Sequence, residues 1–548
     1  MKFMMCSVCV LLATMSYAQN EEWIARYNGI GGGYDCADVI AVDALGNVYV
    51  AGASYGVGTS RDCVTLKYNS SGDTLWARYY DGGANHYDDL DDLVIDDAGN
   101  VYVTGRSIAS ATQYDIVTIK YDTDGVEEWV ARYAGDYGDD DEGVAIAVDD
   151  NGNVYVFGNT YDLSTSNNYI TIKYDSDGDT VWTRIYDGPD NSSELAHDIA
   201  LDDAGNAYVT GYGYTSAGYL DYLTVKYDTA GVEQWVDYYD GTDNNATDEA
   251  YDIEVKGGYV YVTGESEGLG TDEDYLTIKY TTDGDTVWTA RYHNPGGSYD
   301  MAYALAVDAN DYVYVTGRSS GVVNDYLTIK YDSDGDTLWT ARYNGPDNEG
   351  DQASAIAVDD LGNVYVTGWS YAYGTYTPEN DYLTIKYDPS GTELWTSRYN
   401  GTGNTQDYAH AITVDNAGYV YVTGESIGDG GYEDIVTIKY ATTGIEENTG
   451  YTARESSVAL TAAPNPFTSR TEIRFIATES EPFTRTITIH DAAGRLVRSF
   501  HAAHEATGYG HIIWDGTDDL GERLSNGIYF VTAYADEYRM IEKVLLVR

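Results

Sequence analysis

Apolar and polar residues alternate in short runs along most of the chain, and the same four runs return in the same order. The first, as in "AIAVD", is apolar at alternate positions, and "VYVTG" follows it after a turn of the type "DDxGN". A variable loop then leads to "YLTIKYD", and a turn such as "SDGD" leads to "TLWTARY". Short β-branched and aromatic runs bounded by Gly, Asn and Asp indicate strands joined by tight turns. We name these predicted strands A, B, C and D.

The four strands form a unit with eight copies. Strand B ends in a glycine, and the first six of these glycines are 53 residues apart, with final steps of 51 and 56. The eight positions are Gly52, Gly105, Gly158, Gly211, Gly264, Gly317, Gly368 and Gly424. No helical periodicity of useful length appears before about residue 440. A tandem four-stranded unit predicts an all-β fold in which each copy is one blade of a β-propeller.

The two ends of the repeated region each lack part of a blade. The eighth copy has strands A to C but no strand D, whereas "NEEWIARYNG" at residues 20–29 is a strand D with no unit before it. The two incomplete ends sum to one blade. We therefore predict an eight-bladed ring whose last blade takes its strand D from residues 21–28, with Trp23 mostly buried. Such closure removes the sheet edge that would invite aggregation.

The repeat resembles a known family. "VDxxGNVYVTG" followed by "DYLTIKYDxxGxxxW" is similar to the bacterial β-propeller repeats called SBBP, over about residues 21–442. The resemblance implies the propeller fold and supplies no catalytic residues. The fifth copy departs from the pattern, since Lys256 stands where an Asp is usual and the A–B turn is shorter. We interpret this as a local change of turn within an intact blade.

The repeat ends before the C-terminal region. We predict a propeller over residues 19–442, a polar linker over 443–457 and a C-terminal domain over 458–548. About seven short alternating strands in the last region indicate a small Ig-like β-sandwich. It resembles the (type A) sorting domain of type IX secretion substrates and the FlgD-like Ig fold, through Pro464-Asn465-Pro466, Asp491 to Gly494, Trp514-Asp515-Gly516 and Gly527-Ile528-Tyr529. The resemblance implies export across an outer membrane, with the type IX machinery as a partner. The alternative is a plain Ig-like accessory module.

Residues 1–18 have the features of a signal peptide. Lys2 supplies the charge, an apolar run follows, and Ser16 and Ala18 precede a cleavage site. The run is too short to span a bilayer, and no other segment is apolar enough. Removal of this peptide leaves Cys36 and Cys63, whose pairing the sequence leaves open. We expect a secreted or cell-surface protein.

Charge narrows the range of partners. Ninety acidic and 30 basic residues give a formal net charge of −60. Nucleic acids and anionic membranes are recognised by basic surfaces, so the composition argues against both. It suits a soluble extracellular monomer, or one that meets cations.

Acidic residues occupy one repeated position in all eight copies, just where strand A begins. They are Asp35, Asp88, Asp141, Glu194, Asp248, Asp300, Asp351 and Asp407. A second set begins strand C: Asp62, Asp115, Asn168, Asp221, Asp274, Asp325, Asp381 and Asp434. The D–A and B–C loops share one face of a propeller, so we expect two concentric rings there, the first near the channel mouth. Each residue caps the backbone of its own loop, or the first ring binds a metal such as Ca²⁺.

No catalytic motif is evident. The histidines lack zinc-site spacing, no "GxSxG" elbow is present, and "DSDGD" lacks the rest of an EF-hand. We therefore predict a non-enzymatic binding or adhesion module for a glycan or protein, with tyrosine-rich loops 212–222 and 369–382 as contacts. The alternative is an extracellular hydrolase or lyase on the same ring. It predicts a few unrepeated polar residues, with His or Arg in one or two blades, at the channel mouth.

Overall fold

The structure, a computed structural model, describes most of the repeated region and parts of the C-terminal region. The described residues are 21–58, 60–83, 86–109, 113–135, 140–162, 166–188, 191–214, 218–241, 246–268, 271–294, 299–321, 323–345, 348–373, 378–402, 405–428, 430–441, 458–463, 470–477, 485–491, 495–502, 509–519, 523–535 and 538–546. They contain 39 strands, β1 to β39 in chain order, and no helix. The predicted signal peptide and the predicted linker lie outside these ranges. The chain divides into two compact units, within residues 1–444 and 445–548.

The first unit consists of eight four-stranded antiparallel sheets in a propeller-like arrangement. Strands A are β2 (Asp35–Val42), β6 (Asp89–Ile95), β10 (Asp141–Val148), β14 (Glu194–Leu201), β18 (Asp248–Lys256), β22 (Asp300–Val307), β26 (Asp351–Val358) and β30 (Asp407–Val414). Strands B are β3 (Val48–Tyr55), β7 (Val101–Ser107), β11 (Val154–Asp162), β15 (Ala207–Tyr214), β19 (Tyr259–Glu267), β23 (Val313–Ser320), β27 (Val364–Tyr373) and β31 (Val420–Ile427).

The outer half of each blade is formed by the next two strands. Strands C are β4 (Arg61–Tyr68), β8 (Asp115–Tyr121), β12 (Ser166–Tyr174), β16 (Leu220–Tyr227), β20 (Glu273–Thr281), β24 (Asn324–Tyr331), β28 (Pro378–Tyr387) and β32 (Glu433–Tyr440). Strands D are β5 (Thr74–Tyr80), β9 (Glu127–Tyr133), β13 (Thr180–Tyr186), β17 (Glu233–Tyr239), β21 (Thr286–Tyr292), β25 (Thr337–Tyr343), β29 (Glu393–Tyr399) and β1 (Glu21–Tyr27). Each strand A contacts the strand A of both neighbouring blades, from β2 around to β30 and back to β2, so these strands line the centre of the ring.

Both faces of strand B are buried, because every sheet packs between two others. In β3, Val48, Tyr49 and Val50 are all inaccessible to solvent, although successive side chains of a strand point to opposite faces. Apolar clusters accordingly join neighbouring blades, as where Tyr49 and Trp76 of blade 1 pack with Leu93 and Val103 of blade 2. The apolar residues on both sides of the predicted strands are thereby explained.

The predicted closure of the ring is confirmed. Strand β1 pairs antiparallel with β32, so that Ile24 lies opposite Ile438 and Tyr27 opposite Ile435. The eighth sheet has the order β1-β32-β31-β30. Trp23 exposes only a minority of its surface, as predicted, and packs against the buried Tyr68 and Tyr421. Strand D is the outermost strand of a blade, and one side of its residues faces solvent.

The fifth blade is complete, as predicted. Its strands β18 and β19 are joined by the two-residue turn Gly257-Gly258, in which both residues have positive φ, at 61° and 82°. Positive φ at both central residues defines the type I′ turn that suits the twist of a hairpin. The departure at Lys256 is therefore a change of turn.

The second unit is an Ig-like sandwich of seven strands. Its sheets have the orders β33 (Val458–Ala463), β34 (Thr471–Ala477), β37 (Tyr509–Trp514) and β36 (Leu496–Ala502), β35 (Arg485–Asp491), β38 (Gly527–Ala535), β39 (Tyr538–Leu546). Trp514 is fully buried in its core with Ile473, Ile489 and Tyr529. Two of the predicted motifs, at Trp514 and Tyr529, thus supply core residues, whereas Pro464 to Pro466 lie outside the described residues.

Candidate functional site

The eight acidic residues of the first ring lie at or just before the start of strand A, and all are buried. Seven of them accept a hydrogen bond from a backbone N–H six or seven residues earlier in the D–A loop. The donors are Gly29 to Asp35, Gly82 to Asp88, Gly135 to Asp141, Gly241 to Asp248, Asn294 to Asp300, Gly345 to Asp351 and Gly401 to Asp407, over 2.6–3.1 Å. Glu194 is the eighth member. These are the contacts of loop caps, and cation binding by this ring stays a prediction.

The second set lies at or next to the start of strand C, close to strand D. In five blades an arginine of strand D forms an ion pair with the acidic residue. The pairs are Arg26–Asp434 at 2.8 Å, Arg132–Asp115 at 2.8 Å, Arg291–Asp274 at 3.2 Å, Arg342–Asp325 at 2.5 Å and Arg398–Asp381 at 3.0 Å. The same arginines bond the serine two residues after the strand B glycine, as Arg132 does with Ser107 over 3.0 Å. Most of the second ring is therefore neutralised inside its own blade.

One row of side chains differs in every blade. It comprises the residue of strand A that follows the first ring and its cross-strand partner on strand B. The pairs are Cys36–Ala53, Asp89–Arg106, Glu142–Asn159, Leu195–Tyr212, Glu249–Glu265, Met301–Arg318, Gln352–Trp369 and Tyr408–Glu425. We call these sixteen residues the variable row. Because the flanking positions repeat, the variable row is where this ring can differ in recognition from one blade to the next.

Charged residues of the variable row meet in blades 2 and 3. The Arg106 guanidinium lies 2.7 Å from Glu142 and 3.6 Å from Asp89, and it stacks 5.0 Å over the ring of Tyr114. Arg61 lies 3.0 Å from Asp89 on its other side. The two carboxylates thus hold the arginines in fixed positions, which is the arrangement that pre-organises a polar site.

A pocket of about 440 Å³ opens beside Arg106. Its wall includes Glu142, Asn159, Asn167, Tyr114 and Tyr161. Asn159 is buried, and its amide oxygen accepts a hydrogen bond from the Ala196 N–H over 2.9 Å. The pocket therefore brings together a cation, a carboxylate, amide groups and two tyrosines.

Aromatic residues dominate the opposite half of the ring mouth. His197 lies between the rings of Tyr212 and Tyr251, with centroid distances of 5.5 and 5.1 Å, and Tyr251 continues to Tyr303 at 5.7 Å. Burial lowers the pKa of His197 to about 4, so the imidazole is neutral at physiological pH. A histidine packed in this way is a component of the wall.

The two predicted tyrosine-rich loops contribute less than expected. Tyr222 and Tyr382 are fully buried core residues, whereas Tyr214 and Tyr219 are exposed. Residues 215–217 and 374–377 of these loops lie outside the described residues. The sequence analysis missed the pocket beside Arg106, although one signal was available: the residue after the first-ring acid is of seven different types in the eight aligned copies.

Buried carboxyl groups at the ring mouth hold protons unusually strongly. Burial and the nearby Glu249 raise the pKa of Glu265 to about 8, and burial raises the pKa of Glu194 to about 8. The pKa of His410 is also raised: burial lowers it, but the hydrogen bond to Glu425, 2.8 Å away, and the negative charges of Glu425 and Asp38 together outweigh that effect. Unrepeated titratable groups are thus present in several blades.

Comparisons with known proteins agree with this architecture. Residues 128–162, 338–374 and 396–431 match the family model of the SBBP beta-propeller repeat, and residues 464–538 match that of the FlgD Ig-like domain. Among curated proteins, an uncharacterized WD repeat-containing protein of Acanthamoeba polyphaga mimivirus is 23% identical, over 66% of this chain and 31% of its own length. The chain thus spans about a third of that relative.

Solved structures resemble the chain only distantly. PorZ of Porphyromonas gingivalis, a surface component of its type IX secretion system, has a TM-score of 0.40 at 15% identity and covers 92% of this chain and 64% of its own. A fungal alcohol oxidase in complex with copper has a TM-score of 0.42 at 13% identity, covering 97% of this chain and 100% of its own. No helix in the described ranges is long and apolar enough to cross a membrane. The chain carries β-propeller repeats of the SBBP type, followed by a FlgD Ig-like domain.

Proposed function

We propose that the ring is a non-enzymatic extracellular binding or adhesion module, and that its ligand is a glycan bound in the pocket beside Arg106. The pocket itself carries this proposal. Sugars present hydroxyl groups to paired donors and acceptors and C–H faces to aromatic rings. Arg106, Glu142 and Asn167 supply the polar partners, and Tyr114 and Tyr161 supply the ring faces.

A glycan array probed with the full-length secreted chain tests the proposal. Arg106→Ala should weaken the best binder roughly tenfold or more, since a hydrogen bond to a charged group contributes about 1.5–3 kcal/mol. The matched control is Arg318→Ala, which removes an arginine from the same position of strand B in blade 6, outside the pocket. Equal losses in both variants, or an empty array with capture of a protein segment instead, would contradict a glycan site at Arg106.

A hydrolase or lyase is the second candidate, because unrepeated residues do converge at the ring mouth. Arg106, Tyr114 and Glu142 meet at one pocket, and this combination of residues recurs in no other blade. If the pocket were catalytic, wild-type protein would release product from the glycan it binds, and Glu142→Gln would stop turnover while keeping binding. A binding module releases no product with either protein. Chromatography of the incubated glycan distinguishes the two.

We further propose that the C-terminal unit directs export to the cell surface or the medium by the type IX route. The Ig-like sandwich, the match over residues 464–538 and the residue motifs of this region support it. In this proposal the export signal and the ring belong to separate domains. Removing residues 458–548 should leave a folded propeller in the periplasm, because separate domains fold independently. Fractionation with a periplasmic marker measures this, and equal surface display of full-length and truncated chains would refute it.

A further inference from the structure

Three carboxylates converge at the D–A loop of blade 4. Asp221 lies in strand C, Asp240 follows strand D, and Asp248 begins strand A of the next blade. Each offers an oxygen within 4.8 Å of the oxygens of the other two. The equivalent residues of blade 1, Asp62, Asp81 and Asp88, meet in the same way. Two oxygens that bind one Ca²⁺ at about 2.4 Å are at most about 4.8 Å apart, so both clusters have the required size.

These blades lack the arginine that neutralises the second ring elsewhere. The arginine stands three residues after the tryptophan of strand D in five blades, as Arg132 does after Trp129. Blades 1, 3 and 4 have Tyr79, Ile185 and Tyr238 at that position. In the five blades that have the arginine, its guanidinium pairs with the strand C acid. Blades 1, 3 and 4 lack this arginine cation.

The loss of the arginine goes together with the gain of an acid. Five residues after the tryptophan, blades 1, 3 and 4 carry Asp81, Asp187 and Asp240. The five blades with the arginine carry no acid there, but Asn28, Ala134, His293, Asn344 and Asn400. Loss of a cation from a purely structural site favours loss of negative charge, because like charges in contact repel. Blades 1, 3 and 4 show the opposite, since they gain an acid where they lose the arginine. This is the pattern of a site in which a bound metal cation takes the place of the arginine side chain.

Asp221 shows most directly that a partner is needed. It is 5% exposed, and its carboxylate makes no hydrogen bond or ion pair within the part of the chain that the structure describes. Its five counterparts in arginine-containing blades are all paired. A buried charge without a partner is strongly destabilising.

We propose that Asp221, Asp240 and Asp248 bind Ca²⁺ in place of the missing arginine, and that Asp62, Asp81 and Asp88 form a second such site. Calcium accepts irregular sets of carboxylate oxygens completed by backbone carbonyls and water, whereas Mg²⁺ demands a near-ideal octahedron. The inference is independent of the glycan proposal. It narrows the predicted eight-residue metal ring to Asp88 and Asp248 and adds four ligands from strand C and the D–A loop.

Two other blades define the limits of the proposal. Blade 3 has Asn168 in place of the first acid, leaving Asp187 and Glu194, so its cluster carries one carboxylate fewer. In blade 5, Asp274, His293 and Asp300 also lie within 4.8 Å of one another. There Arg291 lies 3.2 Å and His293 lies 2.9 Å from Asp274, so the cationic position is already occupied by side chains.

Calorimetry of the full chain, freed of metal with EGTA and titrated with CaCl₂, tests the proposal. Wild type should bind two equivalents, in the range of about 10⁻⁴–10⁻³ M typical of extracellular modules. Asp240→Asn should lose one equivalent and Asp81→Asn the other. Asp240 is exposed, so its loss should leave the fold intact. The decisive variant is Tyr238→Arg, which restores the common arginine and should abolish the blade 4 site while keeping or raising the melting temperature without calcium.

The matched control is Asn344→Asp, which adds the same acid beside Arg342 in blade 6 and should create no site. Three results would each overturn the proposal: no heat of Ca²⁺ binding in wild type, two equivalents retained in the double variant Asp81→Asn/Asp240→Asn, or unchanged binding in Tyr238→Arg. MgCl₂ and NaCl at matched ionic strength separate binding from simple screening.

Discussion

At the scale of single residues, one tryptophan joins each blade to the next. The indole of Trp182 donates a hydrogen bond to the Thr229 carbonyl of the following blade over 3.2 Å, and its ring lies on Gly231. A Cβ atom at Gly231 would lie 2.7 Å from that ring, and the glycine has a φ of +75°. The same contact recurs from Trp23 onto Gly72 through to Trp339 onto Gly391. Glycine is therefore required at this turn twice, for its backbone conformation and for the space above it.

Gly231→Ala should destabilise the ring more than an alanine at a comparable glycine with free space. Gly258→Ala is the matched control, since Gly258 has a φ of +82° and no neighbour within 4 Å of its missing Cβ. The backbone strain should cost each variant about 1 kcal/mol, and the collision with Trp182 should add about 1–3 kcal/mol to the first. Urea unfolding measures both. Equal midpoints would show that the indole moves aside freely.

Sequence reasoning correctly interpreted Lys256 as a local change of turn but missed how blade 5 compensates for it. The usual aspartate of the A–B turn accepts a hydrogen bond from the hydroxyl group of a strand B tyrosine, as Asp43 does from Tyr49 over 3.0 Å. In blade 5, Asp311 of the neighbouring blade bonds Tyr261 and lies 2.6 Å from Lys279. Asp311 replaces a turn glycine at a φ of +68°. Two departures 55 positions apart in sequence compensate each other only because the ring makes them neighbours.

At the scale of elements, strand β1 alone completes the last blade. Arg26 bonds the Asp434 carboxylate over 2.8 Å, the Tyr399 hydroxyl over 3.1 Å and the Ser426 hydroxyl over 2.6 Å, which links it to two blades. Lys439 of strand β32 pairs in turn with Glu22 at 2.8 Å. Side chains as well as backbone hydrogen bonds therefore hold this strand in one register.

Deleting residues 21–27 should leave β32 as a bare edge and cause association of the chain. Ile435 and Ile438 of that strand are fully buried in the intact ring, and an unpaired apolar edge is a template for further pairing. A synthetic peptide of residues 20–29 should restore a monomer on size-exclusion chromatography. The control peptide carries Arg26→Ala and should act more weakly. A monomeric deletion variant of undiminished stability would contradict the closure by β1.

The sequence could place this strand because the two incomplete repeats add up to one blade. It could not rank the tryptophans by their exposure, which depends on how deeply strand D sits at the rim. Trp182 and Trp395 are at least nine-tenths buried, whereas Trp23 is somewhat more exposed in the same structural role. Repetition in sequence thus fixes the pairing of elements more tightly than it fixes the environment of one side chain.

At the scale of the whole molecule, burial raises the pKa values of several carboxyl groups of the ring. Burial raises the pKa of Asp92 to about 7 and that of Glu194 to about 8, and burial with the charge of Glu249 raises the pKa of Glu265 to about 8. All three pKa values lie above those of the unfolded chain. The folded state therefore binds more protons than the unfolded state between about pH 4.5 and pH 8.

Stability should accordingly fall as the pH rises from 5 to 8. The sign follows because the state that binds more protons, here the folded one, is favoured at the lower pH. Urea unfolding in EGTA at constant ionic strength measures this. Glu265→Gln should flatten the slope, since it removes one of the groups concerned. The control Glu267→Gln, at a partly exposed position at the end of the same strand, should leave the slope unchanged. A midpoint that rises with pH would refute the assignment.

Counting repeats was sufficient to predict the number of blades and the outline of the ring. The candidate pocket could not be predicted in the same way, because Arg106, Tyr114 and Glu142 occupy positions whose residue type varies between blades, and they meet only through the order of blades 2 and 3. The carboxylate clusters of blades 1 and 4 lie between these two cases in how far the sequence could predict them. Their residues occupy repeated positions, yet the missing arginine has meaning only once Arg132 and its counterparts are seen beside the strand C acids.

Closure by β1 also determines when, during synthesis of the chain, the ring can be completed. The strand that completes the last blade is made about 400 residues before its partner β32, which at roughly 5–20 residues per second is tens of seconds of synthesis. The first seven sheets can assemble during that interval, but the eighth cannot, whatever its stability. Ring closure is therefore the last event for the nascent propeller, and it reports that every blade has been made. A chain truncated anywhere before residue 440 keeps an incomplete last blade with an unpaired strand edge, by which quality-control proteases can recognise it.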